Sequence, residues 1–395
     1  MIHKVAAPLL LLAVATVLIQ RATFNARTMD YRNSNFVFFW LAARMVVAHE
    51  NPYDTTQWLS QHDANEITWR PNRIFPYPLP LAFLLAPLGM LPLQSAYLTW
   101  QIASGLALAV SVWLLLGRGP RRPGVAVFAG IVLMLVFFGP FYLTMQIGTL
   151  SALVLACIAA AIVALESQNS LLAGLLLSLT LLKPPQGVPI LLLTGPWLLS
   201  RGDRRALVGM AGGAAALVIV GLLADPLWLA KSVSAGNAVM NRTLGIQSNA
   251  FGIAYWVCSG SETCMWIGGG IAAAAVLAGA GSYLWRKRAS LSPEQALSLI
   301  IPVAFLSTVY LWSYDQVLYV VPIVWVFVRL AEERDSFLMA FAFLSTVIVA
   351  AFIALGYQAL TQSDLLSGIT TLVVLAGFIL MSGAGPRAAA REPDP

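Results

Sequence analysis

Charge is what this chain has least of. Only 10% of its 395 residues are Asp, Glu, Lys or Arg, against about 25% in soluble domains. A soluble chain of this length would need a charged shell around two or three cores, and this composition does not supply one. Histidine is scarcer still. His3, His49 and His62 all come early; they form no metal-ligand pair at helical spacing, and none is placed for a catalytic triad. No Gly-x-Ser-x-Gly elbow occurs. The chain also lacks a phosphate-cradling glycine loop. Gly212-Gly213 and Gly268-Gly269-Gly270 sit inside apolar runs, where small residues serve close helix packing. No Asp-x-Asp is found, so a metal-held nucleotide-sugar donor is not indicated. Cys157, Cys258 and Cys264 have no metal spacing. Cys258 and Cys264 can pair if their compartment is oxidising and their geometry allows. No internal repeat stands out, and the two halves lack matching broken segments, which counts against a transporter built from inverted repeats.

What is present is apolar: 59% of the residues are hydrophobic. Runs fall at roughly 5–19, 95–116, 125–143, 149–165, 170–182, 186–199, 206–224, 265–285, 296–313, 317–331, 336–355 and 365–382. The expected fold is an all-α polytopic membrane protein, one integral-membrane domain over 1–395 with about twelve crossings. Several runs fall short of the ~20 residues of a straight span, so tilted, broken or re-entrant helices are expected. The run 79–93 holds Pro80, Pro87 and Pro92 and reads as re-entrant or interfacial. Trp and Tyr cluster near run ends, as interfacial aromatics do.

The basic clusters set the orientation. Arg118-Arg121-Arg122, Arg201-Arg204-Arg205 and Arg286-Lys287-Arg288 occupy tight connections. Under the twelve-span count they fall on one side with Lys4, Arg329, Arg334, Arg387 and Arg391, and the positive-inside rule makes that side cytoplasmic. Both termini are then cytoplasmic, and 388–395 is expected to be a disordered tail. The first run is retained as a membrane helix, because no clear cleavage site precedes Arg21. The net charge of +6 follows this topology, so no nucleic-acid partner is expected.

The outer side collects the residues that can do chemistry. Asp30 opens a loop spanning 20–79, and a carboxylate at the mouth of a membrane bundle is a functional candidate by default. A helix from Asp30 to Arg44 would put Asp30, Val37, Leu41 and Arg44 on one face, where Arg44 either orients a carboxylate, holds a phosphate or forms a plain surface ion pair. Phe36, Phe38, Phe39 and Trp40 suggest that this helix lies in the headgroup layer. Asn51-Pro52-Tyr53-Asp54 is a turn, with Asn51 and Asp54 structural. Gln146 lies in a short turn as a cap, a helix–helix hydrogen bond or a ligand. Lys183 precedes Pro184-Pro185, where a helix must break; it suits a phosphate as a point charge or snorkels at a helix end. Asp315, within Tyr314-Asp315-Gln316, is a second mouth acid or a turn aspartate. Arg242 and Asn249 are weaker candidates.

These pieces in order resemble glycosyltransferase family 87, integral-membrane enzymes of the GT-C type. The matching stretches are Asp30-Tyr31, Ala42-Ala43-Arg44, Asn51-Pro52-Tyr53-Asp54 and Tyr77-Pro78-Leu79-Pro80, then Ala86-Pro87-Leu88, Leu91-Pro92 and Trp100. Gln146-Ile147-Gly148, Ala173-Gly174 and Leu182-Lys183-Pro184 follow. The resemblance covers roughly residues 1–330. It implies a GT-C bundle in a bacterial plasma membrane with its active site facing outward. It also implies inverting transfer of a sugar, mannose first, from a polyprenyl-phosphate donor to a lipid or glycan acceptor, as in cell-envelope glycolipid synthesis. By motif position Asp30 is the general base. Tyr31, Arg44, Tyr53, Tyr77, Gln146, Lys183, Asn249, Tyr314, Asp315 and Gln316 are the candidate substrate-binding residues. No cofactor is implied, because the leaving lipid phosphate carries no second phosphoryl group and needs no obligatory divalent metal. Family members often carry a histidine where this chain has Tyr314-Asp315-Gln316. The alternative is a multi-pass transporter or lipid-linked-sugar flippase, which would require charged groups at the midplane.

Overall fold

A computed structural model describes residues 31–68, 70–117, 124–243, 245–333 and 337–382. Among them the secondary structure is helical, with no strand. Six helical segments have the length and apolarity to cross a membrane: Leu93–Leu116, Arg204–Ala224, Glu262–Arg286, Ser313–Ala331, Phe337–Thr361 and Leu365–Ser382. A seventh results if Val127–Phe137 and Gly139–Ile147, bent by 50°, form one span. Shorter apolar helices include Ser151–Glu166 and Pro293–Ser307. The expected run 5–19 lies outside the described residues; among the described residues the other runs give six or seven segments of spanning length, with shorter pieces between them.

The breaks have local causes. Gly148, at φ 72°, ends the Gly139–Ile147 helix in the left-handed region, which glycine enters without cost. A Cβ there would also come within 2.8 Å of the Phe36 Cβ. Lys183 sits between a 3-10 turn, Leu179–Leu182, and the helix Pro184–Ser200, at the break expected from its two prolines. The helices Ser170–Ser178 and Arg204–Ala224 touch backbone to backbone: a Cβ on Gly174 would meet the Ala206 oxygen at 2.0 Å. That is close packing of the kind small residues permit in membrane bundles.

The segment after residue 30 departs from expectation. No continuous helix runs to Arg44. A 3-10 turn covers Tyr31–Asn33 and the α-helix Phe36–Val47 starts later. The Ser34 hydroxyl donates to the Tyr31 carbonyl (2.8 Å), and the Asn35 N–H donates to the Ile147 carbonyl (2.9 Å). Such bonds compete with helix formation, so Arg44 is not carried on a helix shared with position 30. Nor does this helix lie open in a headgroup layer. Phe36, Val37, Phe38, Phe39, Trp40 and Leu41 are all buried in protein. Phe39 meets Tyr77 edge-on (4.8 Å) and Trp100 (5.7 Å), and Phe36 stacks on Trp100 (5.5 Å). Aromatics signal a protein core as readily as an interface, and here they make the core of a folded cap.

The rest of the cap follows turn chemistry. Asp54 caps the Thr55–Ala64 helix by accepting from the Gln57 N–H (2.9 Å). Asn51 turns on the Tyr53 N–H (2.9 Å) and donates to Asp225 (2.8 Å). Asp225 also accepts from Lys231 (2.6 Å), tying the cap to the helix Trp228–Asn241. A further helix, Ala250–Val257, follows, and Cys258 is disulfide-bonded to Cys264.

Candidate active site

Three distant segments meet at one buried point. Ser151 opens the helix Ser151–Glu166, Lys183 occupies the break before Pro184, and Asp315 lies in the 3-10 turn Ser313–Tyr319. The Lys183 ammonium donates to Asp315 Oδ1 and to Ser151 Oγ (2.8 Å). Ser151 in turn donates to the same Asp315 oxygen (2.9 Å), and Asp315 Oδ2 accepts from the Trp312 N–H (3.2 Å). The Lys183 and Asp315 side chains are 5% and 1% exposed. A charge pair so desolvated persists only with such a full set of partners. Beside it, the Lys183 ammonium lies 5.1 Å from the Tyr314 ring centroid. Tyr314 stacks on Trp312, and its hydroxyl approaches that of Tyr310 (3.4 Å).

A cavity of about 680 Å³ adjoins this wall. Its lining includes Lys183, Tyr77, Tyr310, Arg242 and Thr308, with six prolines at 71, 76, 78, 184, 185 and 189. Its flank is apolar, with Val188, Leu192 and Val233 at 45%, 59% and 60% exposure. An ammonium has three donors. Two serve Asp315 and Ser151, and the third has no partner among the described residues.

The candidates divide clearly. Lys183 and Tyr77 line this cavity. Tyr314 and Asp315 act behind it through Lys183. Asp315 is fully buried, so it does not meet an acceptor at the mouth; its charge is spent on Lys183. Tyr53 donates its hydroxyl to the Tyr77 carbonyl and so holds the wall from outside. Arg44 is exposed and lies over the Trp40 ring (5.4 Å); it does not line this cavity. Asn249 is buried, accepts from the Gly252 N–H (2.8 Å) and donates to Gln247 (2.9 Å), as a helix cap does. Gln316 donates to the Ser367 carbonyl (2.7 Å). Gln146 offers its backbone carbonyl to the Tyr97 hydroxyl (3.1 Å), and Tyr31 packs near Tyr97 (6.1 Å). Asp30 lies outside the described residues, as do Lys4, Arg118, Arg121, Arg122, Arg334, Arg387, Arg391 and the tail 388–395.

Ser151 and Tyr310 are the residues sequence reasoning missed. Ser151 lies three residues after Gly148, at the start of a helix; only the long-range fold brings it to Lys183. Among the described residues no group of three or more His, Cys, Asp or Glu could hold a metal ion.

These features define a class: an all-α membrane protein whose cavity joins a buried lysine–aspartate pair to an apolar flank. Within that class the chain belongs to glycosyltransferase family 87, whose family model matches residues 75–308, more than half of its length. It is a glycosyltransferase. No curated protein and no solved structure matches it. The matched span contains Tyr77, Gln146, Ser151, Lys183, Arg242 and Asn249. It leaves out Asp30, Tyr31, Arg44, Tyr53, Tyr314, Asp315 and Gln316.

Proposed function

We propose that the protein transfers a sugar, mannose first, from a polyprenyl-phosphate donor to a lipid or glycan acceptor on the extracytoplasmic face, with inversion. The carrying observation is the continuity of the cavity: at one wall a lysine with a donor unpartnered among the described residues, and exposed apolar side chains at the flank. Ligand pockets of this size combine apolar walls with few polar groups, and a lipid phosphate needs both. The apolar flank takes the prenyl chain, and the Lys183 N–H meets the phosphate.

In the transfer, the acceptor hydroxyl oxygen attacks the anomeric carbon. The bond from that carbon to the phosphate oxygen breaks, and the phosphate leaves with the electron pair. The hydroxyl proton passes to the Asp30 carboxylate, which raises the nucleophilicity of an otherwise poor nucleophile. Fixed positive charge stabilises the leaving phosphate without reorganising, and the Asp315–Ser151 pair fixes the Lys183 ammonium for that purpose.

The outward placement has two supports. The Cys258–Cys264 disulfide belongs in an oxidising compartment. Arg201, at the other end of the Pro184–Ser200 helix, donates to the Arg288 and Leu291 carbonyls (2.8 and 2.9 Å). Two basic connections thus meet about 25 Å from Lys183 at 1.5 Å per residue, the arrangement of a positive inner side.

The test is transfer from radiolabelled polyprenyl-phosphate mannose into an extracted lipid pool, wild type against Asp30→Asn. Transfer that collapses in a folded, inserted mutant supports Asp30 as the base. Equal transfer by both proteins removes Asp30 from that role.

A further inference from the structure

Among the described residues the charges around the cavity do not balance: two cations line it, Lys183 and Arg242, and no Asp or Glu does. Lys183 is neutralised by Asp315 immediately behind it. Arg242 has no acidic partner among the described residues: its guanidinium donates through Nη1 to the Pro71 carbonyl and through Nη2 to the Asn72 side-chain oxygen, both uncharged acceptors. A guanidinium has five N–H donors in a fixed fork, so three remain. Arg242 ends the Trp228–Asn241 helix, one wall of the cavity, and its charge reaches the half-buried Tyr310 hydroxyl, which leads through Tyr314 to Lys183.

We propose that Arg242, and not Arg44, is the phosphate-binding arginine of this cavity, holding the anionic headgroup of the donor together with Lys183. This rests on the lipid-phosphate reading above. An arginine fork matches two phosphate oxygens at once. The Arg242 charge gives the cavity a preference for an anionic lipid over its neutral alcohol. Arg242 also ties the cap to the wall through Pro71 and Asn72, so a purely structural role must be separable from a binding one.

The experiment compares farnesyl phosphate with farnesol as ligands of the purified full-length protein, by intrinsic tryptophan fluorescence. The expected result is that wild type prefers the phosphate and that Arg242→Ala loses about 10- to 100-fold in affinity for it, the scale of a charged hydrogen-bonded contact. Farnesol binding stays unchanged, Arg242→Lys restores part of the preference, and Arg44→Ala keeps all of it. Arg242→Gln, which can still donate to the Pro71 carbonyl, replaces the alanine variant if that variant does not fold. An Arg242→Ala protein that keeps the full preference overturns the assignment and leaves the donor reading standing. Equal weakening of both ligands makes Arg242 a wall tie and also overturns it. A wild type that does not distinguish the two ligands overturns the assignment and the lipid-phosphate donor together.

Discussion

Two lysine–aspartate pairs in this protein share a chemistry and differ in setting. Lys183–Asp315 is dry, with side chains 5% and 1% exposed. Lys231–Asp225 sits at the cap, where the lysine is 35% exposed and the aspartate 7%. Asp225 has other donors, Asn51 Nδ2 and the Leu227 N–H (2.8 and 2.9 Å), and its lysine is partly hydrated. Among the described residues, Asp315 Oδ1 accepts from Lys183 and Ser151 alone. The first pair places a cation at the cavity wall; the second fastens one element to another. Burial, not the residue types, separates a site from a clamp.

The largest expected effect comes from removing the same side chain at each place. Lys183→Ala leaves the Asp315 charge buried and unpaired, at a cost of about 3–5 kcal/mol. It should lower the melting temperature in detergent sharply and abolish transfer. The double variant Lys183→Met with Asp315→Leu removes both charges and should regain most of that stability while staying inactive. Equal melting of the single and double variants would show that the pair is not the source of the cost.

A third acid extends the comparison. Asp364 is buried without a lysine; its neighbours are Ser313 and Ser367. Burial, reinforced by the charge of Asp315, pushes its carboxyl up to about 8, and neither carboxylate oxygen has a hydrogen-bond partner among the described residues. The folded state then holds a proton that the unfolded state gives up near pH 4. Stability from this group is therefore highest below pH 4 and declines as pH rises toward 8, where the loss levels off. Asp364→Asn should flatten that slope, melting like wild type near pH 4 and above it at pH 8. A wild-type profile with no slope between these values contradicts the account of Asp364.

The smallest effect belongs to the clamp. Lys231→Ala should cost about 1 kcal/mol or less, because Asp225 keeps its other donors. Burial raises the Asp225 carboxyl, but hydrogen bonds from Lys231, Asn51 and the Leu227 N–H, with the Lys231 charge, outweigh it and hold the group below the usual carboxylate range. Its contribution is present above the unfolded value near 4 and is lost as pH falls through the lower folded value. Lys231→Ala should therefore narrow the difference between melting at pH 6 and at pH 3. Destabilisation as large as that of Lys183→Ala would erase the distinction between the pairs.

The sequence revealed the local features and hid the long-range ones. The break at Lys183 was legible because Pro184-Pro185 cannot continue a helix, and the Asp54 turn because its residue types cap helices. The segment 31–47 misled in two ways. A turn bonded through Ser34 and Asn35 replaced the helix expected from position 30, and Phe36, Phe39 and Trp40 fit a protein core as well as a membrane interface. The partners of Lys183 lie 132 and 32 residues away, and no local pattern encodes that meeting. Arg242 looked weak because its worth comes from its place in the wall of one cavity, which only the folded chain displays.

The most direct test of the central claim is donor choice by the purified enzyme: radiolabelled polyprenyl-phosphate mannose against the nucleotide sugar of the same label, with one extracted lipid pool as acceptor. Label moving from the lipid phosphate, and not from the nucleotide sugar, is the result this account predicts. Transfer from the nucleotide sugar alone would contradict it.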